Sequence, residues 1–220
     1  MTVDPTPLVI SIKTAVTATA ICFVVGVLAA RWRISVRGPL GSFVDGALML
    51  PLALPPTVVG LGLLLLFGRN SAVGSALASF GATVVFTWPA TVIASTVVSL
   101  PIMYQSLRGA FGQIDSSLLD TARIFGFSEW RILWRIMLPL AWPGVAAGAV
   151  LTFLRALGEF GATLMLAGNI PGKTQTAPVA IFFAVEAGEL TAPILWALVL
   201  VGIAVSVICL VNALSRRFEA

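Results

Sequence analysis

Histidine is absent from this chain of 220 residues, and charged residues make up only 10% of it. An ordinary soluble domain carries about a quarter charged residues, so this chain lacks the side chains for a polar shell in water. The missing histidine and scarce acids also remove the usual groups for metal binding and acid–base catalysis. Cys22 and Cys209 lie inside apolar runs, at a spacing that suits neither a metal site nor a redox pair, so both are expected to be packing residues.

The sequence is instead rich in long apolar runs. Hydrophobic residues make up 59% of the sequence, and a helix needs about 20 apolar residues to cross a bilayer. Five runs meet that length, which predicts an all-α integral membrane protein with five transmembrane helices, six being possible. The predicted spans are Leu8–Ala30, Val44–Phe67, Ala82–Tyr104, Met137–Gly158 and Pro193–Leu214. Residues 159–192, with one short apolar piece at Pro178–Val185, are predicted to connect spans on the outer side and to re-enter the membrane partly.

Basic residues are divided unevenly between the two ends of these spans. Only Arg69 and Lys173 fall in proposed outer loops, whereas nine of the 13 basic residues fall in inner segments. Because basic residues collect on the cytoplasmic side, we expect the N-terminus outside and the C-terminus in the cytoplasm. The nine are Arg31, Arg33, Arg37, Arg108, Arg123, Arg131, Arg135, Arg216 and Arg217. They occupy short gaps and form no single basic face, so nucleic-acid binding is not expected.

The longest inner loop, residues 105–136, has the pattern of a folded element. Ser117 is predicted to cap a short helix, with Asp120 three residues later, and Ser128 to cap a second one. Gly126 lies between them, where a left-handed residue ends a helix. Two apolar stripes recur at helical spacing: Leu118, Leu119, Ala122 and Phe125, then Trp130, Leu133, Trp134 and Met137. This pattern alone fits either a docking element for a protein or an amphipathic segment in the lipid interface.

Part of this loop resembles the EAA loop of bacterial ABC importer permeases. Asp120-Thr121-Ala122, then Gly126, then Ile136-Met137-Leu138-Pro139 follow that motif's spacing, with Asp for Glu and Thr for the first Ala. The resemblance implies one transmembrane domain over residues 1–220 with the type I ABC importer permease fold. It also implies a cytoplasmic coupling helix, within residues 117–136, that docks on a separate ATP-binding subunit. The residues expected at that contact are Asp120, Thr121, Ala122, Arg123, Gly126, Glu129 and Pro139.

Two other stretches are similar to the molybdate importer permeases, which have sulfate/thiosulfate and tungstate permeases as close relatives. They are LPPTVVG at Leu54–Gly60 and the region from Gly158 to Thr176, which begins GEFGAT. The likeness implies import of a tetrahedral oxyanion, molybdate ahead of sulfate or tungstate, across a prokaryotic plasma (inner) membrane. It implies two copies of this chain, two cytoplasmic ATP-binding subunits and an external oxyanion-binding protein. ATP and Mg would bind to the partner subunit. This chain has no G-x-x-x-x-G-K-[ST] sequence, so we expect that it needs no cofactor and is not itself an enzyme.

Candidate pathway and gate residues are polar or helix-breaking positions near the spans. The prolines of the second span either free backbone N–H groups that face an anion or only kink the helix for packing. Arg155 and Glu159, four residues apart, share a helix face. They form either an outer gate that attracts the anion or a structural ion pair, and the second interpretation is favoured. The candidates are Pro55, Pro56, Thr57, Thr91, Ser95, Arg155 and Glu159.

Three alternatives bear on this interpretation. An intramembrane enzyme would need clustered ionisable groups, which the spans lack. An ion-coupled transporter usually has acids near the bilayer midplane, and a channel does not need a structured inner loop; co-purification of an ATP-binding subunit distinguishes both from an importer.

Gly144 and Gly148 form a small-residue face that packs either within the chain or against a second copy.

Overall fold

The computed structural model describes residues 4–36 and 38–216, and all regular structure in that part of the chain is helical. Arg37 and Arg217, which contribute to the predicted orientation, lie outside the described residues. The helices are α1 (Thr6–Ser35), α2 (Pro39–Ala53), α3 (Pro56–Phe67), α4 (Ala72–Ser79), α5 (Trp88–Gly112), α6 (Ser116–Ile124), α7 (Glu129–Ile132), α8 (Leu138–Leu140), α9 (Trp142–Leu157), α10 (Gly161–Ala167), α11 (Ala177–Glu186) and α12 (Thr191–Arg216). A π-helical turn, Leu133–Met137, joins α7 to α8.

Three of these helices, α1, α5 and α12, are each long and apolar enough to cross a membrane. Two bent pairs, α2 with α3 and the helices on either side of Ala141, raise the number to five if each pair is one span. The predicted all-α membrane fold is confirmed, and the number of spans agrees with the five apolar runs. The second span breaks at prolines that the sequence singles out, whereas the third and fourth spans begin later in the chain than predicted.

The second predicted span, Val44–Phe67, is a broken helix. α2 and α3 meet at 113°, with Leu54 extended between them. The two prolines that follow lack the N–H groups that a continuing helix needs, and Pro56 instead occupies the first position of α3, where a proline is favourable.

The third and fourth predicted spans begin later in the chain than expected. α5 begins at Trp88 because Phe86 just before it has φ of 61°, outside the helical region. α9 begins at Trp142 because the chain bends by 81° there. In both helices a proline lies in the first turn, where its fixed φ suits a helix start.

Helices α1, α5 and α9 pack together, and the glycine face of α9 lies on α5. A Cβ placed at Gly144 would lie 2.6 Å from the Cβ of Ala110, and one at Gly148 would lie 2.6 Å from the Cβ of Ser106. Real side chains do not approach so closely, so only glycine permits this contact. Of the two alternatives for this face, packing within the chain is therefore the observed one.

The connection after α9 folds back into the bundle as two short helices, α10 and α11. α10 lies beside α3, where a Cβ at Gly60 would lie 2.8 Å from the Cα of Ala162. The N–H of Ala177, at the start of α11, donates a buried hydrogen bond of 2.7 Å to Ser11 Oγ of α1. Ten residues of helix span about 15 Å, so α11 is too short to cross the bilayer, as expected of the short apolar piece at Pro178–Val185. The partial re-entry into the membrane stays a prediction.

Candidate functional site

The loop that resembles an EAA motif is helical, and its first helix begins earlier than predicted. Asp115 caps α6: its Oδ1 accepts a 2.8 Å hydrogen bond from the N–H of Ser117. The predicted cap at Ser117 is wrong, because the carboxylate two residues upstream takes that role. This hydrogen bond lowers the pKa of Asp115. Thr121 lies within α6, and its hydroxyl donates to the carbonyl of Ser117 at 2.8 Å.

Gly126 makes the turn between the two helices, as its position in the sequence predicts. Its φ is 78°, a left-handed conformation that glycine adopts at little cost. The N–H of Gly126 donates to the carbonyl of Arg123 at 2.9 Å, and that of Phe127 to the carbonyl of Ala122 at 3.1 Å. This pair of hydrogen bonds is a Schellman motif. Ser128 then caps α7, accepting from the N–H of Arg131, so the predicted second cap is confirmed.

Ion pairs tie the two short helices to each other and to α1. Arg123 donates to Asp120 at 2.5 Å and to Glu129 at 2.8 Å. Glu129 also pairs with Arg31 near the end of α1. The hydrogen bond from Arg123, together with the positive charges of Arg31 and Arg123, outweighs partial burial and lowers the pKa of Glu129. One carboxylate therefore connects the turn at Gly126 to a membrane-spanning helix.

The two predicted apolar stripes divide between the core and the surface. In α6, Leu119 and Ala122 are buried in a core cluster that also contains residues of α1 and α5, whereas Phe125 is 76% exposed. Leu118 and Trp130 are also exposed, and Ile124, which was not assigned to a stripe, is 83% exposed. The stripes were wrong as continuous faces, because a helix end at Phe125 and a π-helical turn interrupt the regular spacing. What remains outside is an apolar tip, Ile124 and Phe125, beside the charged Asp120 and Arg123.

Pro139, the last residue expected at the coupling contact, belongs to a different helix from that tip. It is exposed in α8, next to the 81° bend that leads into α9. The described structure therefore gathers Asp120, Arg123 and Glu129 into one ionic group near the Gly126 turn, but not Pro139.

The candidate pathway residues of the second span meet the connection after α9. Pro55 and Thr57 are exposed and Pro56 is half-buried. A Cβ placed at Gly161 would lie 3.3 Å from Pro56 Cβ and 3.3 Å from Thr57 Cγ2. The break between α2 and α3 thus lies against the start of α10.

Arg155 and Glu159 form the ion pair that their spacing predicts, and the pair has a further contact. Arg155 donates to Glu159 Oε2 at 2.7 Å, and Glu159 Oε1 accepts a 2.8 Å hydrogen bond from the N–H of Ala162 in α10. The Glu159 side chain is 1% exposed and that of Arg155 is 29% exposed. This geometry matches the structural interpretation, in which the pair fixes the connection after the fourth span.

Thr91 and Ser95 are enclosed by neighbouring helices, away from any open surface of this chain. Thr91 is 0% exposed and Ser95 is 1% exposed. The Thr91 hydroxyl donates to the carbonyl of Trp88 at 2.7 Å and lies 2.9 Å from the hydroxyl of Thr14 on α1. The Thr91 hydroxyl is thus held between α1 and α5, and neither side chain is exposed to a pathway in this chain.

A second ionic cluster was not recognised from the sequence. Asp45 of α2 accepts from Arg33 Nε at 2.8 Å and lies 3.1 Å from Arg108 Nη1. Tyr104 donates a further hydrogen bond to the same carboxylate. The sequence offered one signal, an acid at the boundary of a span, but nothing in it paired that acid with two distant arginines. The cluster and the coupling loop lie at one end of the bundle, here called the basic end: Arg31, Arg33, Arg108 and α6–α8.

Within the described residues, no group of three or more His, Cys, Asp or Glu side chains is arranged to hold a metal ion.

Known proteins give an independent comparison. A family model described as "Binding-protein-dependent transport system inner membrane component" matches residues 23–220. The putative molybdenum transport system permease protein YvgM of Bacillus subtilis is 45% identical over 199 residues, covering 89% of this chain and 87% of that protein. The molybdenum transport system permease protein ModB of Escherichia coli is 43% identical over 149 residues, covering 67% of this chain and 65% of that protein.

Solved structures share the fold at low sequence identity. The MetNI methionine ABC transporter, in inward-facing conformations, matches with a TM-score of 0.75 at 16% identity, covering 96% of this chain and 94% of that one. A bacterial ABC transporter involved in the import of the acidic polysaccharide alginate matches with a TM-score of 0.74 at 17% identity, covering 96% and 80%. These likenesses establish an ABC importer permease fold.

Proposed function

The chain belongs to the family of binding-protein-dependent transport system inner membrane components, and we propose that it forms the membrane-spanning pathway of an ATP-driven molybdate importer. The observation that carries this proposal is the folded loop at the basic end. A rigid turn at Gly126 presents Ile124 and Phe125 to solvent and is tied through Glu129 to α1. An exposed apolar tip of this kind is suited to a hydrophobic cleft on a partner protein.

The proposed orientation places the basic end in the cytoplasm. Arg31, Arg33 and Arg108 cluster there, whereas Lys13 and Arg69 lie toward the other ends of α1 and α3. The positive-inside rule then puts the N-terminus outside and the C-terminus inside. In this orientation the loop can meet cytoplasmic ATP-binding subunits, which hold ATP and Mg and carry out hydrolysis, and the opposite face can meet an external oxyanion-binding protein.

In the proposed complex, two copies of the chain enclose the pathway. Movement of the ATP-binding subunits reaches the spans through Asp120, Thr121, Ala122 and Arg123, and from Glu129 to α1. An effector on a partner chain thereby biases two states of the permease. The exposed break at Pro55, Pro56 and Thr57 is the proposed pathway lining. The proposed role of Arg155 and Glu159 is to hold the adjoining connection in place.

Molybdate is the proposed substrate because the two relatives described above are named as molybdenum permeases and match most or two-thirds of this chain. The electrostatics are compatible with a dianion. Asp45 and Glu159, the acids that the sequence places at span boundaries, are both ion-paired to arginines. Their negative charge is therefore compensated, and repulsion of an oxyanion is reduced.

Reconstitution into lipid vesicles tests the proposal. The chain, its ATP-binding subunit and its binding protein are combined, and ATP turnover and uptake are measured with molybdate, tungstate and sulfate in turn. We expect molybdate to give the largest stimulation. Stimulation by sulfate alone would favour a sulfate permease. Uptake that persists without ATP and follows an ion gradient would indicate an ion-coupled transporter or a channel.

A further inference from the structure

The segment Glu129–Leu140, here called the interfacial segment, runs across the direction of the helix that follows it. It meets α9 at 81°. If α9 crosses the membrane, this segment lies near the membrane plane, a placement that rests on the proposed function. We propose that the interfacial segment binds an anionic phospholipid of the inner leaflet and that this lipid supports the coupling loop.

Three tryptophans in and beside the interfacial segment indicate that it lies at the membrane–water interface. Trp130 and Trp134 contact each other edge to face at 5.6 Å, and Trp142 follows at the bend. All three are about half exposed. Among the described residues none accepts a hydrogen bond from their ring N–H groups, whereas Trp88 and Trp196 donate to Thr14 and Asp4 within the chain. Half-exposed indoles with free N–H groups are typical of the membrane–water interface.

Two arginines of the segment carry charge that the described protein does not neutralise. Arg131 and Arg135 are both exposed, and no carboxylate in the described residues lies within ion-pair distance of either. The Arg131 guanidinium lies over the Phe127 ring at 5.3 Å. Arg33 and Arg108, at the same end of the bundle, both pair with Asp45. The segment therefore offers two available cationic groups for an anionic headgroup.

An apolar groove is lined in part by the interfacial segment itself, including Trp134, the neighbour of Arg135 in the sequence. Its volume is about 630 Å³, and its lining includes Phe23, Trp134, Leu138, Pro139, Trp142 and Val145. Phe23 belongs to α1, whose neighbouring Val24 and Leu28 are exposed as expected of a lipid-facing surface. The same segment thus offers an apolar groove for acyl chains and two arginines for a headgroup, which is the pairing of surfaces that a phospholipid requires.

A phospholipid here would act on the coupling loop through a short connection. The interfacial segment begins at Glu129, the residue that pairs with Arg31 and Arg123. It ends at the bend into α9. A lipid that immobilises the segment would make it a stiffer link between the Gly126 turn and α9, so anionic lipid should increase substrate-stimulated ATP turnover.

The test titrates phosphatidylglycerol or phosphatidylcholine into the detergent-solubilised complex and counts bound lipid by native mass spectrometry. We expect preferential retention of phosphatidylglycerol. One arginine near a membrane surface contributes about 1 kcal/mol, or about fivefold in affinity. Arg131→Gln or Arg135→Gln should therefore weaken binding about fivefold, and the double variant about 25-fold. Arg69→Gln, at the other end of the bundle, is the matched control and should leave binding unchanged.

Other outcomes would overturn the proposal. Equal retention of both lipids would show that the charges recognise no anionic headgroup. Loss of the ATP-binding subunit from the double variant, with phosphatidylglycerol still bound, would make Arg131 and Arg135 part of the protein contact instead. Because lipid is counted directly, a complex that binds phosphatidylglycerol but does not respond to molybdate would contradict the substrate assignment and not the lipid site.

Discussion

Replacing Gly126 with valine should impair substrate-stimulated ATP turnover and weaken binding of the ATP-binding subunit, without preventing membrane insertion. At φ of 78°, a Cβ at this position would meet no atom within 4 Å, so the cost of valine is conformational and not steric crowding. A non-glycine residue in a sparsely populated backbone region costs about 1–3 kcal/mol, and a β-branched residue is at the upper end. The native turn should then be about 5- to 140-fold less populated relative to competing conformations.

The assay is substrate-stimulated ATP turnover of the reconstituted complex, together with the amount of ATP-binding subunit that co-purifies. Gly112→Val is the matched control, because Gly112 lies in α5 near the basic end, has no left-handed φ and has equally open surroundings. Gly126→Asn provides a second comparison, since asparagine tolerates the left-handed conformation. We expect valine to impair both readouts and asparagine to retain most of each. Normal turnover and normal co-purification of Gly126→Val would refute the docking role of this turn.

Three other outcomes are expected. Glu129→Gln should lower the thermal midpoint of the complex modestly, because each exposed ion pair contributes about 0.2–1 kcal/mol; an unchanged midpoint would mean that the pairs with Arg31 and Arg123 contribute nothing. Since the pKa of Glu129 lies below its ordinary value of 4.5, its stabilisation is complete above that value and is lost as the pH falls through the lowered pKa. As the pH falls through that pKa, the thermal midpoint should therefore drop more in the protein that keeps Glu129 than in Glu129→Gln. Equal drops would show that ionised Glu129 does not stabilise the complex. Gly148→Val should destabilise the chain by about 1–3 kcal/mol through overpacking on Ser106, whereas Gly202→Val, in open surroundings, should not; equal midpoints for the two variants would contradict the close packing of α9 on α5.

The sequence was a good guide wherever a local pattern decides the structure. Gly126 and Ser128 occupy the turn and cap that their types predict, because the backbone preferences of glycine and serine act within a few residues. The apolar runs likewise identify the membrane-spanning helices, since hydrophobic length alone decides whether a helix suits a bilayer.

The predictions that failed concern features that depend on contacts between distant parts of the chain. Pro55 and Pro56 indicate an interruption of the second span, but local sequence patterns do not determine its angle of 113°. Asp45 acquires Arg33 and Arg108 only when α1, α2 and α5 are assembled. The predicted apolar stripes failed at Phe125 because helical spacing indicates which residues share a face, but not where the helix ends or which face has a partner.

Photo-crosslinking from the apolar tip tests whether the turn at Gly126 docks on the ATP-binding subunit. A photoreactive residue is placed at Phe125, 76% exposed beside the Gly126 turn, or at Phe80, 87% exposed just after α4 and toward the other end of α5. We expect a crosslink to the ATP-binding subunit from position 125 and none from position 80. A crosslink to the ATP-binding subunit from position 80, or to an external binding protein from position 125, would show that the tip is not the docking element.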